Sequence, residues 1–350
     1  MAAYTPGEQP QGGGWVKLNT NENPYPPSPQ ALAAIRVVVA AEGAALRLYP
    51  SPDASPLREA AAKLHGFPAA DILAGNGSDD LLNILIRAYA GPGRPIGMLD
   101  PSYSLYPVLA AAQGAAVVKV PIRADFSFDV EAVAKCGAAI FFLTNPNAPL
   151  GVSFSPAKVS ELARAFPGLL VVDEAYAAFA DADCAELPKT HANVVVTRTF
   201  SKGHALAGLR AGYALCPPGL ATILHRVRDS YNLDRLAQVG AAAALADTGW
   251  LHETVGKVRF ERARLTSGLV ALGWSVVPSS GNFILATPAS AQRSASPATG
   301  EHAFAFFRER KILVRRFPNH PLTASALRIT VGTAAEMDAF LAAAQAWSEG

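Results

Sequence analysis

Cysteine is scarce in this sequence, which has three in 350 residues: Cys136, Cys184 and Cys216. They are far apart and odd in number, which argues against a disulfide framework. We therefore expect a reducing, cytoplasmic compartment. The seven histidines form neither an HxH nor an HExxH pattern and, with the scattered cysteines, they predict no metal site.

Long apolar runs and a strong net charge are also lacking. Half of the residues are hydrophobic, yet no run approaches the roughly eighteen apolar residues that indicate a transmembrane helix. The opening MAAYTPGEQPQGGG has neither the basic nor the apolar region of a secretory signal. Because the net charge is +2 and the basic residues are scattered, we expect no nucleic-acid or membrane surface.

Short apolar runs that alternate with helical patterns predict an α/β fold. Continuous apolar strands separated by helices are typical of a mainly parallel sheet with helices on both faces. We predict an N-terminal arm at residues 1–28, a large domain at 29–247 and a smaller α+β domain at 248–350. The expected strands of the large domain are 96–100, 115–122, 138–146, 169–176, 193–200 and 211–216, and the expected helical stretches are 30–42, 55–65, 78–90, 102–113, 156–166, 219–247 and 250–272.

Polar residues follow the predicted strands at the carboxyl edge of the sheet, where open α/β sheets bind ligands. In DEAY, Asp173 ends an apolar strand, and a buried carboxylate is costly unless it is paired. One candidate partner is a protonated ring nitrogen, with Tyr176 donating to a phenolate oxygen of the same ring. The alternative interpretation is a capping aspartate followed by a core tyrosine.

The sequence GNGSDD precedes a predicted helix. Glycines permit a tight turn, and free N–H groups at a helix start attract an anion, so the amides of Ser78 and Asp79 are candidates for binding a phosphate. The alternative is an ordinary loop with Ser78 as the N-cap. Because GNG does not complete the GxGxxG pattern, a dinucleotide site is not predicted.

Lys202 stands in TFSKGHALAGLR, between a predicted strand and a glycine-rich segment, in a chain with only nine lysines. A partly desolvated lysine amine is a nucleophile that forms an imine with an aldehyde. Thr199, Ser201 and the fork of Arg210 suit a phosphate. Together with Asp173, these groups supply the contacts that pyridoxal phosphate needs. The alternative is a solvated surface lysine.

A series of motifs between Tyr4 and Phe340 resembles the histidinol-phosphate aminotransferases, a branch of the fold-type I pyridoxal-phosphate aminotransferases. DEAY with SKGHALAGLRAGY indicates the fold and the cofactor, and LRITVGT with the NENPY arm indicates the branch. The motifs are LNTNENPYPPSP, YPSPDASPLREAAAKLHG, GNGSDD, PSYSLY, TNPNAPLG, VVDEAY, RTFSKGHALAGLRAGY, GNFILA, ILVRRF and LRITVGT.

The resemblance implies pyridoxal phosphate as the cofactor and Lys202 as the catalytic residue. Lys202 is expected to bond to the cofactor aldehyde and then to move a proton between the substrate Cα and the cofactor C4′ carbon. Asp173 is expected at the pyridine nitrogen, Tyr176 at O3′ and Tyr103 on the face of the ring. The residues implied for the phosphate are Ser78, Asp79, Thr199, Ser201, Arg210 and, across a homodimer interface, Tyr49.

The resemblance also implies the substrates, which are histidinol phosphate and glutamate or 2-oxoglutarate, and a role in histidine biosynthesis. Arg328, with Arg315 nearby, is expected to bind their anionic groups, since an arginine fork suits both a phosphate and a carboxylate. Asn282 of GNFILA is also expected at the substrate. Tyr4 and the arm are expected to close over the site of the partner subunit.

The sequence departs from the family pattern at NPNAPLG, where the family usually has NPNNPTG and its second asparagine binds O3′. Ala148 stands at that position and Leu150 replaces the threonine, so Asn147 or Asn145 is the candidate for the contact. These changes bear on the substrate more than on the fold or the cofactor. Further departures are Gly203, His204 and the segment 229–238.

Several alternatives stay open at this point. Within the family they are a threonine-phosphate decarboxylase and an aromatic amino-acid aminotransferase. A non-catalytic pyridoxal-phosphate-binding protein is a third alternative, although Lys202 argues against it. A nicotinamide-dependent dehydrogenase is a fourth, and the missing third glycine of GNG argues against it.

Overall fold

The structure is a computed structural model, and it describes residues 6–289 and 294–350. Within those ranges the strands form a seven-stranded central sheet, a four-stranded sheet and a two-stranded pair. The strands are β1 (Val16–Lys17), β2 (Ile72–Gly75), β3 (Ile96–Asp100), β4 (Val117–Pro121), β5 (Ile140–Thr144), β6 (Leu169–Asp173), β7 (Val194–Thr199), β8 (Gly212–Leu215), β9 (Ser275–Val277), β10 (Phe283–Thr287), β11 (Ile312–Leu313), β12 (Arg315–Arg316) and β13 (Leu327–Thr330).

The central sheet has the strand order β2-β8-β7-β6-β5-β3-β4. The strands from β3 to β7 pair in parallel, whereas β8 is antiparallel to both of its neighbours, β7 and β2. β5 and β6 are buried along their whole length, which explains why IFFLT and LLVVD are almost continuously apolar. The predicted fold class, a mainly parallel α/β sheet with a smaller α+β part, is confirmed.

Helices flank both sheets. None of the helices in the described ranges is both long and apolar enough to cross a lipid bilayer. The helices are α1 (Pro29–Val39), α2 (Ser55–His65), α3 (Gly77–Tyr89), α4 (Leu105–Ala112), α5 (Val130–Ala134), α6 (Pro156–Ala165), α7 (Leu187–Thr190), α8 (Leu220–Leu224), α9 (Arg235–Ala246), α10 (Thr248–Ala271), α11 (Pro297–Glu309) and α12 (Ala334–Glu349).

Successive residues of β5 enter two different cores. Phe141 and Leu143 pack in a cluster with residues of α2, α6 and α9, whereas Ile140 and Phe142 pack with residues of α3, α4 and α8. This division follows from the pleat of a strand, which sends alternate side chains to opposite faces. A third cluster joins the small sheet to α10, α11 and α12. The central sheet is therefore a fixed platform for its carboxyl edge.

The helical stretch predicted at 219–247 is wrong in its middle, because it is interrupted between α8 and α9. Asp234 caps the start of α9. Asn232 donates a hydrogen bond of 2.8 Å to Asp80, which ties the connection to α3. These contacts depend on tertiary neighbours that helical periodicity does not reveal. β2 also went unpredicted, since a run of four residues is too short to show a pattern.

The arm is extended and attached to the small domain of its own chain. The four-stranded sheet has the order β12-β13-β10-β9 and is antiparallel, while β1 of the arm pairs in parallel with β11. The backbone N–H of Leu18 donates to the carbonyl oxygen of Leu313 at 2.8 Å, and the N–H of Thr330 donates to that of Leu18 at 2.9 Å. These bonds place the residues after Leu18 above the carboxyl edge of the central sheet, where they line the cavity described next.

Candidate active site

A cavity of about 790 Å³ lies between the carboxyl edge of the central sheet, the small domain and the arm. It is bounded by the ends of β5 and β6 on one side and by β12 and β13 on the other. The structure therefore brings together residues that are far apart in the sequence. The predicted site residues that line the cavity are Ser78, Asp79, Tyr103, Asp173, Tyr176, Thr199, Ser201, Lys202, Arg210, Arg315 and Arg328.

Three predicted site residues are not among those that line the cavity, and a fourth, Tyr4, lies outside the described residues. Tyr49 is 78% exposed, and its ring stacks on that of Tyr231 with a centroid distance of 4.6 Å. Asn147 and Asn282 are fully buried, and each donates its side-chain amide to a backbone carbonyl, at 3.2 and 2.9 Å respectively.

Asp173 is buried at the end of β6, in register with Thr144 of β5 and Thr197 of β7. Its Oδ2 accepts a hydrogen bond of 2.6 Å from the hydroxyl of Tyr106, and its Oδ1 accepts one of 3.3 Å from Thr197. Burial raises the pKa of the Asp173 carboxyl to about 6, and the charge of Asp79 adds to the rise, whereas the hydrogen bond from Tyr106 opposes it. The carboxylate is thus hydrogen-bonded from behind and open to the cavity.

Tyr176 lies near the same end of the cavity. Its hydroxyl accepts a hydrogen bond of 3.0 Å from the side-chain amide of Asn21 in the arm. Ala148 lines the cavity, whereas Asn145 is buried and uses both ends of its amide on the backbone of Phe154. Neither Asn145 nor Asn147 is therefore among the residues that face the cavity.

Lys202 lies just beyond β7. Its Nζ donates a hydrogen bond of 2.9 Å to the backbone carbonyl oxygen of Thr20 in the arm. Burial lowers the pKa of Lys202 to about 8, and the positive charge of Arg328 lowers it further, whereas Glu22 opposes the change. The amine is therefore easier to deprotonate than a surface lysine, and the neutral amine is the nucleophilic form.

The start of α3 forms a narrow cradle with β8. Asn76 precedes the helix without capping it through its side chain, and Ser78 is the second helical residue rather than the N-cap of the alternative interpretation. A Cβ atom on Gly212 would lie 2.7 Å from the backbone nitrogen of Ser78, and one on Gly77 would lie 2.6 Å from Nη2 of Arg210. Glycine at these positions lets the strand and the guanidinium approach the positive end of the helix, which is a favourable place for an anion.

Arg210 adopts a left-handed backbone conformation, with φ of 50°, that directs its side chain to this cradle. Its guanidinium donates to Oγ of Ser201 and to Oδ2 of Asp79, both at 3.1 Å. The hydroxyl of Thr199 donates to Ser201 at 3.1 Å, and that of Tyr103 donates to Asp79 at 3.2 Å. The cradle thus combines a fixed guanidinium with hydroxyl groups, a set of donors suited to a phosphate.

Arg328 and Arg315 are Cα partners on the adjacent strands β13 and β12 and line the opposite wall of the cavity. Arg328 donates to the backbone carbonyl oxygen of Asn19 at 2.9 Å, and its guanidinium carbon lies 5.0 Å from the ring centre of Phe317. Arg315 donates to the carbonyl oxygen of Pro6 at 3.1 Å. Two neighbouring guanidinium groups therefore line the same wall of the cavity.

The described part of the arm lines the cavity of its own chain, through Pro6, Gly7 and Gln9. Glu8 fixes this segment, because its carboxylate accepts two hydrogen bonds, of 2.6 and 2.9 Å, from Arg308. The sequence-based expectation placed Tyr4 and the arm at the site of the partner subunit. The described arm residues line the cavity of their own chain, and the position of Tyr4 at the partner site stays a prediction.

Sequence reasoning missed Tyr106, which is fully buried and bonds Asp173. It also missed Thr144, and Asn21 of the arm, which bonds Tyr176. The signal for Tyr106 was present in PSYSLY, since residues three apart on a helical turn lie on one side and Tyr103 was already a candidate.

The chain is similar to known proteins along nearly its whole length. A family model for aminotransferase class I and II matches residues 13–343. The chain is 46% identical over 344 residues to a histidinol-phosphate aminotransferase of Geobacter sulfurreducens, covering 98% of this chain and 96% of that protein. It is 45% identical over 342 residues to one of Synechocystis sp., covering 97% and 94%. The crystal structure of histidinol-phosphate aminotransferase from Sinorhizobium meliloti in complex with pyridoxal-5'-phosphate superposes with a TM-score of 0.85 at 30% identity, covering 94% of this chain and 90% of that one.

Proposed function

The chain belongs to the aminotransferase class I and II family, and from this premise we propose that it is a histidinol-phosphate aminotransferase with pyridoxal phosphate as its cofactor. The resemblance drawn from the sequence motifs is confirmed for the family. The observation that carries the proposal is the cavity itself, whose lining brings together Lys202, Asp173, Arg210 of the cradle and Arg328. The reaction moves an amino group between histidinol phosphate and the glutamate/2-oxoglutarate pair, a step of histidine biosynthesis.

The donor set at the sheet edge fits the ring of pyridoxal phosphate. Asp173, a buried carboxylate with hydroxyl donors behind it, is the partner for a protonated ring nitrogen. Tyr103 is assigned to the face of the ring and Tyr176 to the O3′ oxygen. When bound, the cofactor supplies an electron sink for the electrons released at the substrate Cα. The buried Asp173 would keep the ring nitrogen protonated and so maintain that sink.

The cradle at α3 fits the phosphate of the cofactor. A Cβ atom at Gly77 or Gly212 would enter this space, so the backbone is shaped for a close approach. The N–H groups of Ser78 and Asp79 stand at the positive end of the helix, and Arg210 adds a fixed positive charge. Thr199 and Ser201 complete the assigned contacts, both with hydroxyl groups that line the cavity.

Lys202 is assigned to hold the cofactor and to move the proton at the substrate Cα. Its buried amine has a lowered pKa of about 8, so a neutral amine is accessible near physiological pH. The backbone carbonyl of Thr20 orients the amine toward the arm side of the cavity. A lysine in this position combines nucleophile and general base in one side chain.

Arg328 and Arg315 support an anionic substrate. Histidinol phosphate presents a phosphate and glutamate presents carboxylates, and a guanidinium fork binds either group with two hydrogen bonds. Both side chains currently donate to backbone carbonyls of the arm, at Asn19 and Pro6. Both carbonyl oxygens are neutral acceptors. An anionic substrate group can take their place and form a stronger, charge-assisted hydrogen bond with each guanidinium. We keep Asn282 as a more distant substrate contact, acting through Asn21.

An exposed apolar surface supports a homodimer. Val37, Val39, Leu46 and Leu48 are large apolar side chains that are about half or more exposed, and they lie in the segment next to Tyr49. Several exposed large apolar side chains within one short segment are typical of a protein interface. In a homodimer, Tyr49 would reach the phosphate of the cofactor in the partner subunit.

We assign the enzyme to the cytoplasm. Cys136, Cys184 and Cys216 all carry free thiols, and two of them are buried. Free, unpaired cysteines fit a reducing compartment. The soluble substrates of the proposed reaction fit the same compartment.

The test is a panel of half-reactions with purified protein, followed through the absorbance of the bound cofactor. Histidinol phosphate and glutamate are each expected to convert it, and aromatic amino acids are expected to react more slowly. Conversion by glutamate and aromatic amino acids without histidinol phosphate would establish the aromatic aminotransferase instead. Release of carbon dioxide from threonine phosphate would establish the decarboxylase, and borohydride labelling at a lysine other than Lys202 would contradict the catalytic assignment.

A further inference from the structure

A line of hydroxyl groups runs behind the carboxylate of Asp173. Oγ of Ser102 lies 2.9 Å from Oγ1 of Thr144, which lies 2.6 Å from the hydroxyl of Tyr106, which in turn lies 2.6 Å from Oδ2 of Asp173. Ser102 and Thr144 line the cavity, whereas Tyr106 is fully buried. The proposed cofactor contacts leave this line of hydroxyls without a role.

The direction of the hydrogen bonds follows from counting protons. An ionised carboxylate only accepts, so Tyr106 must give its single hydroxyl proton to Asp173. Tyr106 can then only accept from Thr144, and Thr144 in turn only from Ser102. All three hydroxyl dipoles therefore point at the carboxylate, and hydrogen bonds aligned in one direction strengthen one another.

Packing holds the line in place. The ring of Tyr106 stacks on Phe142 of β5 with a centroid distance of 4.8 Å, and the ring of Tyr103 meets it edge-on at 5.5 Å. Thr144 ends β5 directly beside Asp173 in the register of the sheet. Tyr106 and Thr144 thus stand on the regular elements α4 and β5, and Ser102 lies in the short connection from β3 to α4.

We propose that Ser102, Thr144 and Tyr106 form a polarised hydroxyl chain that keeps Asp173 ionised and oriented toward the cavity. Tyr106 is a positioning residue, because it acts on the ring-nitrogen partner and not on the substrate. The inference rests on the proposed function in one respect, namely that Asp173 meets a protonated ring nitrogen. Its consequence is that the proton stays on the ring and does not pass to the carboxylate.

Other groups that face Asp173 act beside the chain. From β7, Thr197 donates to Oδ1, and from the turn after β6 the backbone N–H of Ala175 also stabilises the anion. From α3, the negative charge of Asp79 opposes ionisation, although Arg210 pairs with it. Substitutions in the hydroxyl chain leave these groups in place. Each variant therefore isolates the contribution of one hydroxyl group to the ionisation of Asp173.

The test compares Tyr106→Phe, Thr144→Val and Ser102→Ala with Tyr213→Phe as the matched control. Tyr213 is also a buried tyrosine with a bonded hydroxyl, 2.8 Å from Nε2 of His65, but it does not touch Asp173. One readout is the ¹⁵N chemical shift of ring-labelled pyridoxal phosphate bound to the full chain, which reports whether the ring nitrogen is protonated. The other is an infrared titration of the full chain freed of cofactor, in which Asp173→Asn identifies the band of the protonated carboxyl.

We expect Tyr106→Phe to raise the pKa of Asp173 by about one unit or more, because the anion loses a hydrogen bond that stabilises its charged form. We expect the ring nitrogen of that variant to shift toward its unprotonated value. Thr144→Val should give a smaller change in the same direction and Ser102→Ala the smallest. The proposed role of the hydroxyl chain is refuted if the Asp173 titration is unchanged in both Tyr106→Phe and Thr144→Val. It is also refuted if Tyr213→Phe shifts that titration equally. If the wild-type protein fails to bind pyridoxal phosphate, the proposed function is refuted instead. The infrared titration of Asp173 would still test the role of the hydroxyl chain.

Discussion

The amine of Lys202, at the end of the central sheet, is hydrogen-bonded to the backbone of Thr20 in the arm, with Nζ 2.9 Å from the carbonyl oxygen. The arm in turn pairs with the small domain through β1 and β11. One lysine therefore links the large domain, the arm and the small domain. It does so while largely withdrawn from water, which lowers the pKa of the amine to about 8.

This withdrawal from water predicts how stability depends on pH. The unfolded chain keeps the proton of Lys202 up to about pH 10.5, whereas the folded chain releases it near pH 8. Below pH 8 both states are protonated, and the buried charge destabilises the fold by up to about 3 kcal/mol. Between pH 8 and pH 10.5 only the unfolded state holds the proton, so the unfolding free energy should rise with pH.

The measurement is urea unfolding of the cofactor-free chain across that pH range. Lys202→Met should lack the rise of the wild-type protein, because methionine has no proton to release. Lys63 is exposed, and Lys63→Met serves as the control that should keep it. Parallel pH curves for wild type and Lys202→Met would show that the amine is not desolvated.

The glycine at the start of α3 predicts a second effect. Gly77 has φ of +79°, and a Cβ there would lie 2.6 Å from Nη2 of Arg210. Gly93 has a similar φ of +75°, but a Cβ there meets nothing within 4 Å. Both alanine variants should lose about 1–2 kcal/mol of stability from backbone strain. Only Gly77→Ala should also displace Arg210 and weaken pyridoxal phosphate binding, by about tenfold or more, in an absorbance titration. Equal affinities in the two variants would contradict the assignment of the cradle.

The fold was predictable where the local sequence pattern agrees with the structure that the segment adopts. β5 and β6 were found because both faces of each strand are buried, which makes the whole run apolar. The break between α8 and α9 was not found, because it depends on the hydrogen bond of Asn232 with Asp80, 152 residues away. Local pattern therefore located the main sheet but not the interruptions that tertiary contacts impose.

The contrast between local pattern and tertiary contact also applies to the site. It separates the strand-end residues from the residues that hold them in place. Asp173, Lys202 and Arg210 stand in strand-end motifs, so the residue type and the position together indicated chemistry. The residues that hold them did not stand out. Tyr106 is 67 positions from Asp173, and Asn21 is 155 positions from Tyr176, so only the folded chain shows the pairing.

Ala148 provides a third prediction, which concerns the contact to O3′. Ala148 lines the cavity at the position of the family asparagine, and the amides of Asn145 and Asn147 are committed to the backbone. Ala148→Asn should add one donor worth about 0.5–1.5 kcal/mol and so tighten cofactor binding about two- to tenfold. Ala148→Leu fills the same space without a donor and should not tighten it. Equal tightening in both variants would show that packing, and not a hydrogen bond, is responsible.

Arg315 provides a fourth prediction, on the discrimination between substrates. It lies beside Arg328 and donates to the carbonyl oxygen of Pro6. A phosphate carries more charge than a carboxylate and should use the second guanidinium more fully. Arg315→Ala should therefore slow the half-reaction with histidinol phosphate about tenfold more than that with glutamate. Arg310→Ala, which changes an exposed residue outside the cavity, is the control. An equal loss of rate with both substrates would show that Arg315 only holds the arm and does not discriminate between substrates.

Arg328 provides the last prediction, which separates the substrate from the cofactor. Its guanidinium carbon lies 5.4 Å from the ring centre of Phe283 and 5.0 Å from that of Phe317, whereas Arg210 stands beside Gly77 at the start of α3. Arg328→Lys keeps the positive charge but loses the fork that binds an anion through two hydrogen bonds. Cofactor absorbance and affinity should therefore stay close to those of the wild type.

Both half-reactions should slow in Arg328→Lys, by about tenfold or more, because glutamate and histidinol phosphate each present an anion to the same fork. Arg210→Lys is the matched variant with the opposite expectation. It should lower the affinity for the cofactor, which Arg328→Lys should leave unchanged. Stopped-flow measurement of the cofactor absorbance with each substrate separates the two effects. Loss of cofactor binding in Arg328→Lys, or an unchanged rate with both substrates, would remove Arg328 from the substrate site.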